Sequence, residues 1–156
     1  MHPSLVPYVA VVGGSKASER DVADAQRVGT LLAQAGAIVV CGGRGGVMAA
    51  ASRGAAQAGG TVIGMLPGDG RADANEWVTV AIPTGIGELR NGLIVRTADA
   101  MVAVGGAYGT LSEIALGLHN GLKVYGLHTW EIEGIEPVTT PDEAVERALA
   151  AARARA

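Results

Sequence analysis

The chain has 156 residues, the size of one domain, and its hydrophobic residues, 49% of the total, suffice for a full core. A formal net charge of −3, with no run of Lys or Arg, argues against nucleic acid as a partner. One cysteine excludes an internal disulfide, and three scattered histidines lack zinc-ligand spacing, so we expect no bound metal and no cofactor.

The first half of the chain alternates predicted strands with predicted helices. Residues 8–12 form a short apolar run that ends in glycine, and Ser18, with an acid three residues later, marks the start of a helix. Residues 37–41 repeat the pattern as a second strand, followed by a glycine loop and a helix to about Gln57.

The middle of the chain adds further strands. We predict strands over residues 61–66 and 77–82, with a polar loop over residues 67–75 between them. A helix over residues 88–97 then leads into residues 100–104, whose uninterrupted apolar sequence indicates a buried strand.

The last third begins with a glycine loop and a helix whose apolar positions include Leu111, Ile114 and Leu118. Residues 123–127 predict another strand. Thr140 is a typical cap for a final helix, because a proline and then a glutamate follow at the positions that a capping box favours.

Strands that alternate with helices at this spacing indicate parallel strands joined by right-handed crossovers. We therefore predict a single domain over residues 1–156, with an α/β parallel sheet covered by helices on both faces. Ligands of such folds bind at the carboxyl ends of the strands, so we expect the site where the loops after Val12, Cys41 and Val104 converge.

These three glycine loops are candidates for binding an anion. A glycine loop between a strand and a helix leaves free backbone N–H groups at the helix N-terminus, where the helix dipole also favours negative charge. No loop matches a dinucleotide or Walker fingerprint, and a tight turn alone also explains a glycine. The residues predicted to bind a ligand phosphate are Gly13, Gly14, Ser15, Gly43, Arg44, Gly45, Gly105, Gly106, Ala107, Tyr108, Gly109 and Thr110.

The polar side chains near these loops have two interpretations each. Thr110 and Glu113 belong either to the ligand site or to a capping box that only starts the helix. Arg90 lies at a predicted helix start, where its charge opposes the dipole, so it either accompanies an anion or an acid such as Glu113, or is simply exposed. Arg44 is either a phosphate clamp or a polar loop tip.

Two segments, residues 42–48 and residues 105–113, resemble the signatures of the LONELY GUY family, whose members are also labelled possible lysine decarboxylases. The resemblance extends from residue 8 to about residue 127. It implies a Rossmann-like, doubly wound fold and a homodimer. It also implies hydrolysis of the N-glycosidic bond of a cytokinin or purine riboside 5′-monophosphate, with Arg90 and Glu113 as the catalytic pair. The alanine-rich helix over residues 46–58 also predicts self-association, as a homodimer or a higher homo-oligomer.

Three positions depart from the pattern of that family: Val104 replaces a proline, Asn91 a lysine and Cys41 a serine. In these features the chain is similar to a short bacterial subgroup that includes proteins resembling molybdenum cofactor carriers, which hold a pterin-linked phosphate without cleaving it. Two hypotheses stay open: a nucleoside 5′-monophosphate phosphoribohydrolase, and a non-catalytic carrier of molybdenum cofactor or a nucleotide.

Both hypotheses place a small phosphorylated ligand, a nucleoside monophosphate or a pterin-type molecule, at the loops. Lys16 and Lys123, the only lysines, lie in no recognisable pyridoxal phosphate site, so we expect no lysine decarboxylase. No apolar run approaches ~18 residues, and no basic stretch precedes an apolar core at the N-terminus. We therefore expect no signal peptide, no membrane contact and a cytoplasmic location.

Overall fold

The computed structural model describes residues 2–155, which contain seven strands and five α-helices. The strands are β1 (Tyr8–Gly13), β2 (Ile38–Cys41), β3 (Val62–Leu66), β4 (Val80–Pro83), β5 (Ala100–Val104), β6 (Val124–Leu127) and β7 (Ile135–Pro137). The helices are α1 (Glu19–Gln34), α2 (Val47–Gln57), α3 (Asn91–Thr97), α4 (Tyr108–His119) and α5 (Pro141–Arg155).

All strands are parallel and form one sheet in the order β4-β3-β2-β1-β5-β6-β7. Helices α1, α2 and α5 cover one face, and α3 and α4 cover the other. The predicted doubly wound α/β fold is therefore confirmed. From β1 the chain builds the sheet in one direction and from β5 in the other, which leaves a crevice between the carboxyl ends of these two strands.

The small residues of the chain permit close packing on the first face. A Cβ added at Gly29 of α1 would overlap the carbonyl of Ala51 in α2, and one added at Gly54 would overlap the carbonyl of Gln26. Helices α1 and α2 therefore approach each other more closely than larger side chains would permit. Protein interiors are packed densely, so a Cβ at either glycine would force the two helices apart.

Most elements follow the sequence prediction, including the two helix caps. Ser18 Oγ accepts a hydrogen bond from the Asp21 N–H at 3.1 Å, and Thr140 Oγ1 accepts one from the Glu143 N–H at 3.1 Å. The predicted strand 100–104 matches β5 without a shift. No helix within residues 2–155 combines the length and the apolar character needed to cross a membrane.

Three details differ from the prediction. Strand β4 begins three residues later than predicted, because Asn75 forms a turn that accepts hydrogen bonds from the backbones of Trp77 and Val78. Strand β7 was not predicted, since three residues carry no recognisable periodicity. The helix predicted over residues 88–97 starts at Asn91, after a short 3-10 turn over Gly87–Arg90.

Candidate ligand-binding site

A cleft of about 400 Å³ lies at the carboxyl ends of β1 and β5, at the crevice described above. Its walls come from the loop after β1, the start of α2, the loop after β3, the start of α3 and the first turns of α4. The residues that line the cleft are Gly13, Gly14, Ser15, Met48, Pro67, Glu88, Arg90, Asn91, Ala107, Tyr108, Gly109, Thr110, Ser112 and Glu113.

The N-terminus of α4 presents unpaired backbone N–H groups at this cleft. The N-cap residue is Ala107, and no side chain caps the helix. The consecutive N–H groups from Gly106 to Thr110 have no hydrogen-bond acceptor within residues 2–155. Because the helix dipole adds partial positive charge here, this end of α4 has the features of an anion site. We call residues 105–110 the glycine turn.

The glycine turn depends on a backbone conformation that other residues rarely adopt. Gly105 has φ +56° and Gly106 has φ +106°. A Cβ added at Gly106 would also overlap the side chain of Thr110. A glycine is therefore required at position 106 both for the turn and for the close approach of the helix.

The capping-box interpretation of Thr110 and Glu113 is wrong. Because α4 begins at Tyr108, Thr110 lies inside the helix and cannot be its cap. Its side chain is buried and forms no hydrogen bond with the part of the chain that the structure describes. Both side chains line the cleft, which leaves them available to a ligand.

Glu113 is a buried acid without a partner of opposite charge in contact. Its side chain is only 8% exposed, and no ion pair within 4.0 Å reaches it from residues 2–155. Loss of hydration on burial raises the pKa of Glu113 from 4.5 to about 7, while the Arg90 guanidinium acts in the opposite direction. Near neutral pH the carboxyl is therefore able both to donate and to accept a proton.

This pKa predicts a pH-dependent stability. Between pH 4.5 and 7 the native Glu113 keeps a proton that the unfolded chain loses, so the free energy of unfolding falls as the pH rises. We expect Glu113→Gln to abolish this loss, which amounts to about 3 kcal/mol above pH 7. Urea unfolding of the wild type and of Glu113→Gln, each at pH 4.5 and pH 8, measures this difference in the free energy of unfolding.

The exposed Glu131 provides the matched control. We expect Glu131→Gln to leave the pH dependence of the unfolding free energy unchanged. Equal pH profiles for wild type and Glu113→Gln would contradict the raised pKa of Glu113.

Arg90 is held in the cleft by hydrogen bonds to its own chain. Its Nε donates to the Met65 carbonyl at 2.8 Å, and its Nη1 donates to Asn91 Oδ1 at 2.6 Å. The arginine is half-buried, so the alternative of an exposed side chain is wrong. A guanidinium fixed in this way supplies a preorganised positive charge to the cleft.

Sequence reasoning missed the contribution of Gly42. A Cβ at this position would lie 2.7 Å from Arg90 Nη2 and 2.7 Å from Met48 Sδ. Gly42 therefore leaves space for the guanidinium. The glycine loop itself was visible in the sequence, but nothing in its spacing indicates which glycine faces an arginine from another element.

The structure brings most predicted site residues together. Gly13, Gly14, Ser15, Arg90, Ala107, Tyr108, Gly109, Thr110 and Glu113 all line the cleft, and Gly105 and Gly106 form the turn beside it. Sequence reasoning did not select the other lining residues, which are Met48, Pro67, Glu88, Asn91 and Ser112. Met48 and Ser112 lie within the two signature segments, but neither has a side chain typical of phosphate binding at a position that the pattern marks. Pro67, Glu88 and Asn91 lie outside both segments.

The middle of the second glycine loop does not line the cleft. Gly43 is buried, and a Cβ there would lie 2.9 Å from Leu66 Cδ2. Arg44 and Gly45 are exposed, and the Arg44 carbonyl accepts a hydrogen bond from Asn75 Nδ2 at 2.9 Å. Ligand binding by Gly43, Arg44 and Gly45 stays a prediction that this cleft does not support.

A model of the SLOG cluster4 family matches residues 6–154. The chain belongs to the SLOG cluster4 family. A relative from Archaeoglobus fulgidus is 41% identical over 138 residues, which cover 88% of this chain and 91% of the relative.

Two solved structures resemble this SLOG cluster4 protein over most of its length. The molybdenum cofactor binding protein of Rippkaea orientalis has a TM-score of 0.88 and 33% identity, over 93% of this chain and 96% of that protein. The molybdenum cofactor carrier protein of Chlamydomonas reinhardtii has a TM-score of 0.83 and 30% identity, over 93% of this chain and 99% of that protein. The predicted similarity to molybdenum cofactor carriers is confirmed.

Proposed function

We propose that this protein binds a phosphorylated pterin-type ligand, such as molybdenum cofactor, and carries it without cleaving it. The observation that supports the proposal is the row of unpaired N–H groups from Gly106 to Thr110 beside the cleft that contains Arg90. The similarity to two molybdenum cofactor proteins provides the ligand class. This proposal corresponds to the carrier hypothesis rather than to the hydrolase hypothesis.

Each part of the cleft has a role in this proposal. The N–H groups of the glycine turn bind the phosphate, because backbone donors and the helix dipole act on the same anion. Arg90 adds a full positive charge. Glu113 lies further along α4 and, as a buried carboxyl, is suited to hydrogen bonding with the ring N–H groups of a pterin. A volume of about 400 Å³ is within the range of small-molecule sites.

A direct binding experiment tests the proposal. Molybdenum cofactor released from a purified molybdoenzyme is mixed with the protein without oxygen, and the mixture is separated by gel filtration. We expect molybdenum to elute with the protein, together with the pterin fluorescence that appears when the eluted fractions are oxidised, and we expect AMP to compete for the site. The proposal fails if neither signal elutes with the protein and if inorganic phosphate shifts no amide resonance of the glycine turn.

The hydrolase hypothesis is a second candidate, since Arg90 and Glu113 line the same cleft and the pKa of Glu113 is near 7. In this alternative the carboxyl assists the water or the ribose, and Arg90 offsets the developing charge. Incubation with AMP and adenylated cytokinin analogues separates the two candidates. Free base that disappears in Glu113→Gln supports hydrolysis, whereas binding without release of base supports a carrier.

A further inference from the structure

The segment that follows β6 is tied to the backbone of the glycine turn. Thr129 Oγ1 donates a hydrogen bond to the Gly105 carbonyl at 2.6 Å. The next residue, Trp130, donates from its Nε1 to the Ala107 carbonyl at 3.1 Å. Two consecutive side chains therefore fix two carbonyl groups of the turn that supplies the anion-binding N–H groups.

A strained backbone brings these two side chains into place. His128 has φ +51° and is the only non-glycine residue within residues 2–155 with a positive φ. Such a conformation is unfavourable for a residue with a Cβ, so it persists where the surrounding structure requires it. Here it redirects the chain immediately after β6, so that Thr129 reaches the Gly105 carbonyl.

Peptide geometry links the Thr129 hydrogen bond to the ligand side of the turn. In a trans peptide the C=O of one residue and the N–H of the next point in opposite directions. Thr129 follows β6, on one side of β5, and holds the Gly105 carbonyl toward that side. The N–H of Gly106 is therefore directed toward β1 on the other side, where Gly14 lines the cleft.

We propose that Thr129 and Trp130 are positioning residues that orient the glycine turn for anion binding, although neither lines the cleft. The inference rests on the proposed function of the cleft and adds residues that no signature motif contains. Gly105 and Gly106 are flexible in isolation, so without the Thr129 hydroxyl their shared peptide is free to rotate and the Gly106 N–H leaves the anion.

Trp130 has a second contact with the turn. Its ring lies against that of Tyr108, with centroids 6.0 Å apart and an interplanar angle of 31°. Tyr108 is the first residue of α4 and is 81% exposed. Phenylalanine at position 130 keeps the ring contact but lacks the N–H, so Trp130→Phe separates the hydrogen bond from the packing.

The test compares Thr129→Val, Thr129→Ser and Trp130→Phe with the wild-type protein. Amide NMR and calorimetry measure the affinity of each protein for inorganic phosphate and for AMP. We expect Thr129→Val to weaken binding about tenfold, the scale of one hydrogen bond to a charged group. Thr129→Ser keeps the donor and should restore wild-type affinity. Trp130→Phe should weaken binding by a smaller factor than Thr129→Val, because helix α4 itself also fixes the Ala107 carbonyl.

Thr97→Val is the matched control, since the Thr97 hydroxyl donates to the Leu93 carbonyl at 2.7 Å in α3 and does not line the cleft. We expect Thr97→Val to keep wild-type affinity. A purely structural role of Thr129 predicts that Thr129→Val also keeps wild-type affinity and only lowers the melting temperature. Wild-type affinity in Thr129→Val overturns the inference.

A structural measurement without ligand tests the role of Thr129 even if the proposed function of the cleft is wrong. If the wild-type protein binds neither phosphate nor AMP nor molybdenum cofactor, the proposed function fails. In that case the crystal structure of Thr129→Val still decides the inference, which requires the peptide between Gly105 and Gly106 to change its orientation. An unchanged peptide overturns it.

Discussion

Replacing Gly106 by alanine is expected to weaken the binding of molybdenum cofactor or AMP about 100-fold. The φ of +106° is strained for any residue with a Cβ, and the added atom overlaps the Thr110 side chain. The turn must move to relieve the backbone strain and the overlap, and this movement misplaces more than one N–H donor. Each such donor contributes about 1.5 kcal/mol or more to the binding free energy of a charged acceptor. Isothermal titration calorimetry with AMP measures the loss.

Gly92→Ala is the control for this substitution. Gly92 lies in α3 outside the cleft lining, and a Cβ there would meet no heavy atom within 4 Å. Because alanine favours helix over glycine by about 1 kcal/mol, this variant should keep its affinity and become slightly more stable. Undiminished binding by Gly106→Ala, at an unchanged melting temperature, would show that the turn does not hold the phosphate.

Replacing Arg90 by alanine is expected to weaken binding of the same ligands by about 10- to 100-fold, as for the loss of a charge-assisted contact. The same change should raise the pKa of Glu113 above its value of about 7, because the guanidinium is the group that lowers this pKa. A pH titration of the Glu113 carboxyl carbon by NMR measures the second effect, which requires no ligand.

Arg96→Ala separates the effect of Arg90 from a general loss of positive charge. Arg96 is exposed and donates to Asn120 Oδ1 at 3.3 Å, away from the cleft. We expect its removal to leave both the affinity and the Glu113 titration unchanged. An Arg90→Ala variant in which the Glu113 pKa stays at about 7 would contradict the electrostatic coupling between the two residues.

Local sequence patterns were sufficient for the architecture. The apolar sequence of residues 100–104 identifies β5, and the helix caps at Ser18 and Thr140 form the predicted hydrogen bonds. These features depend on residues that are close in sequence, for which periodicity and capping chemistry are informative. The fold class followed from the alternation of strands and helices.

The details of the site depend on contacts between distant segments, and local patterns do not encode them. Gly42 faces Arg90 although the two are 48 positions apart in the chain, and Thr129, in the segment that follows β6, reaches Gly105 at the end of β5. Local patterns predicted phosphate binding by the middle of the second glycine loop, whereas the structure places Gly43 in a turn against Leu66. Such pairs become visible only when the sheet order is known.

A phosphate site of the kind proposed here, built from main-chain amides, depends little on the identity of its side chains. The N–H groups from Gly106 to Thr110 remain present whatever residue other than proline replaces Ala107, Tyr108 or Gly109, as long as the helix starts at the same place. Amides do not titrate, so these donors keep their partial positive charge at any ordinary pH, whereas Glu113 changes its charge near neutrality. If the cleft binds the ligand proposed above, substitutions in its remaining walls change which ring is accepted and leave the amides that face the phosphate in place.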